Sequence, residues 1–199
     1  FFSIISSLLI LIRGEFILFY FLTLVYFFTF YKKDYKSIII SLTVTILIIS
    51  PYLYRNYENF NTLTITKSLG YNLLKGNNPT FKVEGSDEFI SKNFSRKSLR
   101  IKTNNNYEIN LDDFYKKKAI TYIKDEPLKY LKFYFIKLGS FVMIDLNSSY
   151  PNYYNILHTI PKILISLMSL IGAIIVISRK GFYQFISIFY FTNIFLFSV

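Results

Sequence analysis

Cysteine is absent from this 199-residue chain, and so is tryptophan. Without cysteine there is no disulfide framework, no thiolate zinc site and no thiol nucleophile. The single histidine, His158, leaves no imidazole cluster for a metal. Charge is also scarce: Asp, Glu, Lys and Arg make up 18% of the chain, against about a quarter in soluble domains. What fills the space is apolar, with 52% hydrophobic residues, 20% aromatics and a mean hydropathy of +0.35. This excludes a disordered chain, a coiled coil and an ordinary cytosolic enzyme. The net charge of +11 suggests nucleic acid at first sight. However, 18 of the 23 basic residues are Lys, and Phe, Tyr, Ile, Lys and Asn together occupy 103 of 199 positions. All five have AT-rich codons, so the basicity follows a compositional bias and nucleic acid is not expected as a partner.

The apolar residues come in runs. Phe1 to Ile12 is too short to cross a bilayer, which takes about 20 residues. It reads as the tail of a helix or as a signal-peptide core, although neither a basic segment before it nor a small-residue cleavage site after it is present. Phe16 to Tyr31 is a second run, and Ser37 to Ser50 a third, closed by Pro51. With its aromatic flanks, Tyr35 to Tyr54 gives about 30 Å of helix, enough to cross. Thr159 to Ser178 is a fourth, and Tyr183 to Val199 a fifth. Because the chain starts and stops inside apolar runs, it reads as a piece of a larger membrane protein.

Between the third and fourth runs, Pro51 to Ile160 holds 16 Lys and Arg against 10 Asp and Glu. Thr62 to Thr66 alternates like a strand, and glycines and Asn77-Asn78-Pro79 mark turns. Glu84 to Asn106 is polar and is expected to be mobile. A helix is expected to start at an Asn110 cap, with Asp112 and Asp113 in its first turn. After Pro127, Leu128 to Ile144 places Leu131, Phe135, Leu138 and Val142 on one face, interrupted by Lys129, Lys132 and Lys137. That pattern predicts a helix lying in the membrane interface. The fold class expected is therefore mainly α: a polytopic helical bundle with an extracytoplasmic α+β loop region and an interfacial helix. The expected organisation is transmembrane helices over 1–54, the loop region over 55–158, and transmembrane helices over 159–199.

Orientation follows from the short loops. Lys32, Lys33 and Lys36 form one basic cluster, Arg179 and Lys180 another, and the count of crossings puts both on one side. The positive-inside rule makes that side cytoplasmic. The long polar segment then lies outside, in a bacterium at the periplasm or cell surface. Arg13 and Arg55 share that outer face.

Most single motifs have plain explanations. Gly70 to Gly76 lacks the Lys-Ser/Thr of a P-loop. Asp112-Asp113 reads as helix-terminal charge more readily than as a metal pair, and His158 as an interfacial polar residue. Asn147-Ser148-Ser149 matches a glycosylation sequon only by pattern. The junction at Pro51 is more specific: Ser50-Pro51-Tyr52-Leu53-Tyr54-Arg55-Asn56-Tyr57, then Gly70-Tyr71-Asn72-Leu73, then Gly76-Asn77-Asn78-Pro79. These elements resemble the bacterial GT-C type membrane glycosyltransferases related to the dolichyl-phosphate-mannose protein mannosyltransferases and the lipid A aminoarabinose transferase. Leu11-Ile12-Arg13-Gly14-Glu15 is similar to that family's Leu-x-Arg-Pro-Glu turn, with Gly for Pro. Asp112 to Ile123, Asp125-Glu126-Pro127 and Leu128 to Lys137 resemble its later helices and turn. Tyr52 stands where Trp is commoner.

The resemblance implies transfer of a sugar from a polyprenyl-phosphate donor to a lipid, protein or glycan acceptor on the outer face of the membrane. It places the catalytic carboxylate in a first external loop that this chain does not contain, so no acid here is assigned as the base. No cofactor is expected from these residues, and the metal dependence of such an enzyme stays open. Substrate-binding candidates are Arg55, Asn56, Arg13, Gly76, Asn77 and Asn78. The planar fork of an arginine suits a phosphate. The alternative is a non-catalytic membrane protein of polysaccharide transport or polymerisation with a large external loop; a third is a receptor-like loop that only binds.

Overall fold

A computed structural model describes residues 1–30, 35–94, 101, 106–179 and 181–197. Lys32, Lys33 and Lys180 of the orientation argument lie outside the described residues, as does the stretch 95–100. The protein is mainly α. Its helices are α1 (Phe2–Ile12), α2 (Phe16–Phe30), α3 (Tyr35–Phe60), α4 (Leu69–Gly76), α5 (Asp87–Asn93), α6 (Tyr107–Asp125), α7 (Pro127–Val142), α8 (Ile156–Ile177) and α9 (Phe182–Phe197). They fall into two compact units, Phe1–Lys67 with Thr103–Ile109, and Ser68–Lys102 with Asn110–Val199.

Two helices, α3 with 26 residues and α8 with 22, are long and apolar enough to cross a membrane. Only 17% and 6% of their apolar windows are buried. A core helix of a soluble domain hides its apolar surface, so these faces call for lipid and associate the chain with a membrane. α1, α2 and α9 are apolar but shorter.

In the first unit α1, α2 and α3 pack together around Ile10, Tyr20, Leu24 and Ile49. The contact is fastened by small polar residues. Ser3 Oγ donates to Ser41 Oγ at 2.9 Å, and Thr45 Oγ1 donates to the Tyr20 hydroxyl at 3.1 Å. Ser7, Ser41 and Thr45 are buried. With lipid outside, helices gain little from the hydrophobic effect and associate through close approach and such hydrogen bonds.

Several expectations are corrected. α3 runs through Pro51, as the expected Tyr35 to Tyr54 helix does, but ends six residues later than expected, at Phe60. Proline removes the hydrogen bond that the Leu47 carbonyl would accept. Ser50 Oγ donates to that carbonyl at 3.1 Å instead, which lets the helix continue. No strand forms among the described residues, so the α+β character expected of the loop region is replaced by helices and turns. At Thr62–Thr66 side chains take the backbone groups that a ladder would need: Asn56 Nδ2 donates to the Thr64 carbonyl at 2.7 Å, and Thr64 Oγ1 to the Thr66 carbonyl at 2.7 Å.

The polar stretch after Glu84 contains α5, capped where Phe89 N donates to Ser86 Oγ at 3.1 Å, with Asp87 and Glu88 in its first turn. α6 begins at Tyr107, three residues before Asn110, so Asp112 is inside the helix. Its buried carboxylate caps a different helix, accepting Gly70 N at 3.0 Å and Tyr71 N at 2.9 Å. Gly70 is required there, because a Cβ would stand 1.9 Å from the Asp112 carbonyl oxygen.

In the second unit α7 packs against α8 and α9, and α8 against α9. Ser187 Oγ donates to the Ala173 carbonyl at 2.7 Å in a buried contact between α9 and α8. The inward face of α7 is Tyr130, Phe133 and Lys137, all buried, while Leu131 and Phe135 are exposed.

Candidate functional site

Arg55, Asn56 and Arg13 belong to the first unit. At about 1.5 Å per residue, the first 20 residues of α3 already reach the length that a crossing takes, and Arg55 to Phe60 lie beyond them. Arg55 is exposed, and its guanidinium makes no ion pair among the described residues. Asn56, its neighbour, is buried and gives its amide to the Thr64 carbonyl. It is thus an anchor that folds 61–66 back onto α3. Asn61 makes this reversal in a left-handed conformation with φ 53°.

The Arg13–Glu15 turn meets the same segment, since a Cβ on Gly14 would lie 3.2 Å from Thr66 Cγ2. Arg13 itself is exposed, with Nε 2.6 Å from Glu15 Oε2. Asn56 and the Arg13 turn are therefore joined through Thr64–Thr66.

Gly76, Asn77 and Asn78 belong to the second unit. Gly76 ends α4. Asn78 is fully buried and occupied: Nδ2 donates to the Lys75 carbonyl at 2.8 Å, and Oδ1 accepts from Thr80 N at 2.9 Å and Thr80 Oγ1 at 2.5 Å. Its amide holds the turn and has nothing left for a ligand. Asn77 donates from Nδ2 to the Leu73 carbonyl at 3.1 Å and accepts from Lys137 Nζ at 3.0 Å. The Gly-Asn-Asn-Pro turn is thereby tied to α7.

Lys137 is the residue whose importance the sequence understated. Only 6% of it is exposed, its Nζ lies 4.7 Å over the Phe133 ring, and burial pushes its amine down to about 8. The signal was its spacing: 130, 133 and 137 form one helical stripe, with a lysine where a core residue belongs.

Lys137 borders a cavity of about 360 Å³ whose other walls include Glu84, Asp145, Tyr150, Tyr153 and Lys162. Lys162 stands in the second turn of the long apolar helix α8 and donates to the Tyr153 hydroxyl at 3.0 Å. Asp145 N donates to the same hydroxyl at 3.0 Å, and the buried Asp145 carboxylate accepts from Asn147 N at 2.9 Å. Burial works to raise Glu84. Hydrogen bonds from Ser149 and Ser148 outweigh it and hold the carboxyl below its ordinary range. Two ammonium groups and two carboxylates border it, and Ser140, Ser148, Val83 and Phe141 complete a largely apolar lining.

Among the described residues no group of three His, Asp or Glu side chains is close enough to hold a metal ion. No protein-family model, no curated protein and no solved structure matches the chain.

Proposed function

We propose that the chain is part of a GT-C type membrane glycosyltransferase, moving a sugar from a polyprenyl-phosphate donor to a lipid, protein or glycan acceptor. In this reading the helices form a polytopic bundle in a bacterial plasma membrane, and the polar segment 55–158 is extracytoplasmic. The observation that carries it is Arg55. It is an exposed guanidinium on the part of α3 that exceeds the crossing length, steadied from the next position by buried Asn56. A lipid phosphate resides at that depth, and arginine offers it two hydrogen bonds at once. Arg13, in the turn joined to the same segment, is the second cation for that phosphate.

In this reading the Lys137 cavity holds the sugar, between paired charges and largely apolar walls. Asn77 is a support for Lys137 in this scheme, and Gly76 and Asn78 shape the turn. The test is transfer of a radiolabelled sugar from a synthetic polyprenyl-phosphate donor into extracted glycan, lipid and protein fractions by the purified full-length protein in detergent. Label in any fraction, dependent on the protein, supports the proposal. Hydrolysis without transfer, or no turnover of any polyprenyl-phosphate sugar, counts against it.

A further inference from the structure

We propose that a second, cationic pocket, between the Thr80–Val83 turn and α7, binds the phosphate of an anionic phospholipid headgroup. The pocket has a volume of about 410 Å³, and its polar walls are Lys82, Lys129, Lys132, Thr80 and Asn147. Among the described residues no carboxylate lines it, in contrast to the cavity at Lys137 with its Glu84 and Asp145. Lys129 is paired with Glu126 at 2.6 Å, and its Nζ stands 4.5 Å over the Phe81 ring. Lys82 and Lys132 are exposed and form no ion pair among the described residues. The acids that feel the Lys82 charge are committed elsewhere, Glu84 to Ser148 and Ser149, and Glu88 to Lys92 at 2.7 Å.

Phe81 holds a left-handed backbone with φ 51°. Its ring is wedged against Tyr130 at 5.0 Å and Phe133 at 5.2 Å, which fixes the turn that carries Lys82.

The choice of a lipid over a free anion comes from α7. Leu128, Leu131 and Phe135 succeed one another at helical spacing and are 80%, 53% and 59% exposed, beside the lysines of the pocket. The same helix packs against α8, which is long and apolar enough to cross a membrane. An occupant with both a phosphate and acyl chains satisfies the pocket and the stripe together; inorganic phosphate satisfies only the pocket. The inference holds whether or not the protein transfers sugars.

It is tested by native mass spectrometry of the detergent-solubilised chain titrated with phosphatidylglycerol, phosphatidylcholine or inorganic phosphate. Wild type should retain phosphatidylglycerol in preference to phosphatidylcholine. A surface lysine contributes about fivefold to the affinity for an anionic lipid, so K82Q/K132Q should weaken phosphatidylglycerol binding by roughly 30-fold. The charge-matched control K116Q/K117Q, on exposed positions of α6, should stay within about twofold of wild type. Unchanged circular dichroism melting of both variants establishes that they fold. Equal weakening by the control, equal retention of phosphatidylcholine, or displacement of the lipid by millimolar inorganic phosphate would each overturn the proposal.

Discussion

Lys137 should make the protein more stable as pH rises from 7 to 9.5. Its amine sits at about 8 in the folded chain because burial disfavours the ammonium form. An unfolded lysine titrates near 10.4. Below pH 8 both states hold the proton, and the folded state carries the full cost of a buried charge. Between the two values the unfolded chain keeps a proton that the folded chain has released, so stability climbs with pH. Integrating over pH 7 to 9.5 gives a gain of about 2 kcal/mol. Above pH 10 the trend reverses, because Tyr71 and Tyr130 are raised to about 12 and folding then holds phenol protons that the unfolded chain loses. The Asp87 hydrogen bond is the main cause for Tyr71, and burial for Tyr130. The assay is thermal unfolding by far-UV circular dichroism in a non-ionic detergent, at half-unit steps across this window. Lys137→Met should abolish the rise, since it fills the same volume with no group to titrate. A wild type that is flat or falls between pH 7 and 9.5, or a methionine variant with the same slope, would refute the reasoning.

Two further outcomes are expected. Gly70→Ala should destabilise the second unit by about 3 kcal/mol, since its new methyl meets backbone at Asp112, whereas Gly172→Ala, with nothing within 4 Å, should change stability by less than about 1 kcal/mol; chemical denaturation of the two variants checks the contrast. Cysteines introduced at Lys92 and Arg179 should differ in labelling by a membrane-impermeant maleimide on intact cells, with only the Lys92 position reacting; reaction at Arg179 instead would put Arg55 on the wrong leaflet for an external donor.

Legibility in the sequence tracked the length scale of the signal. The long apolar runs revealed α3 and α8 because about 20 apolar residues have few alternative uses. α7 was legible from periodicity, although the face that looks inward is the one with Lys137 rather than the leucine stripe. The helix through Pro51 is legible from its length, and a neighbouring serine takes up the carbonyl that proline abandons; its end at Phe60 is not, because the polar residues after Tyr54 carry no apolar signal. The strand at Thr62–Thr66 failed because alternation says nothing of a partner, and here Asn56 supplies the hydrogen bond. Asp112 was placed at a helix start because its sequence neighbours suit one; its role lies 41 and 42 residues away, at Tyr71 and Gly70. The cavity at Lys137 was illegible for the same reason, since Glu84, Asp145 and Lys162 meet only through the fold.

The central claim, that Arg55 holds the donor phosphate, is tested most directly by kcat/KM for transfer from a polyprenyl-phosphate sugar, measured below KM with purified full-length Arg55→Ala. A hydrogen bond to a charged group is worth about 1.5–3 kcal/mol, so the variant should lose roughly 10- to 150-fold. Arg55→Lys should recover only part of this, because an ammonium keeps the charge without the fork. Since Arg55 is exposed, membrane expression of both variants should match wild type. Wild-type kcat/KM in the alanine variant would contradict the account and leave Arg55 as no more than a topological anchor.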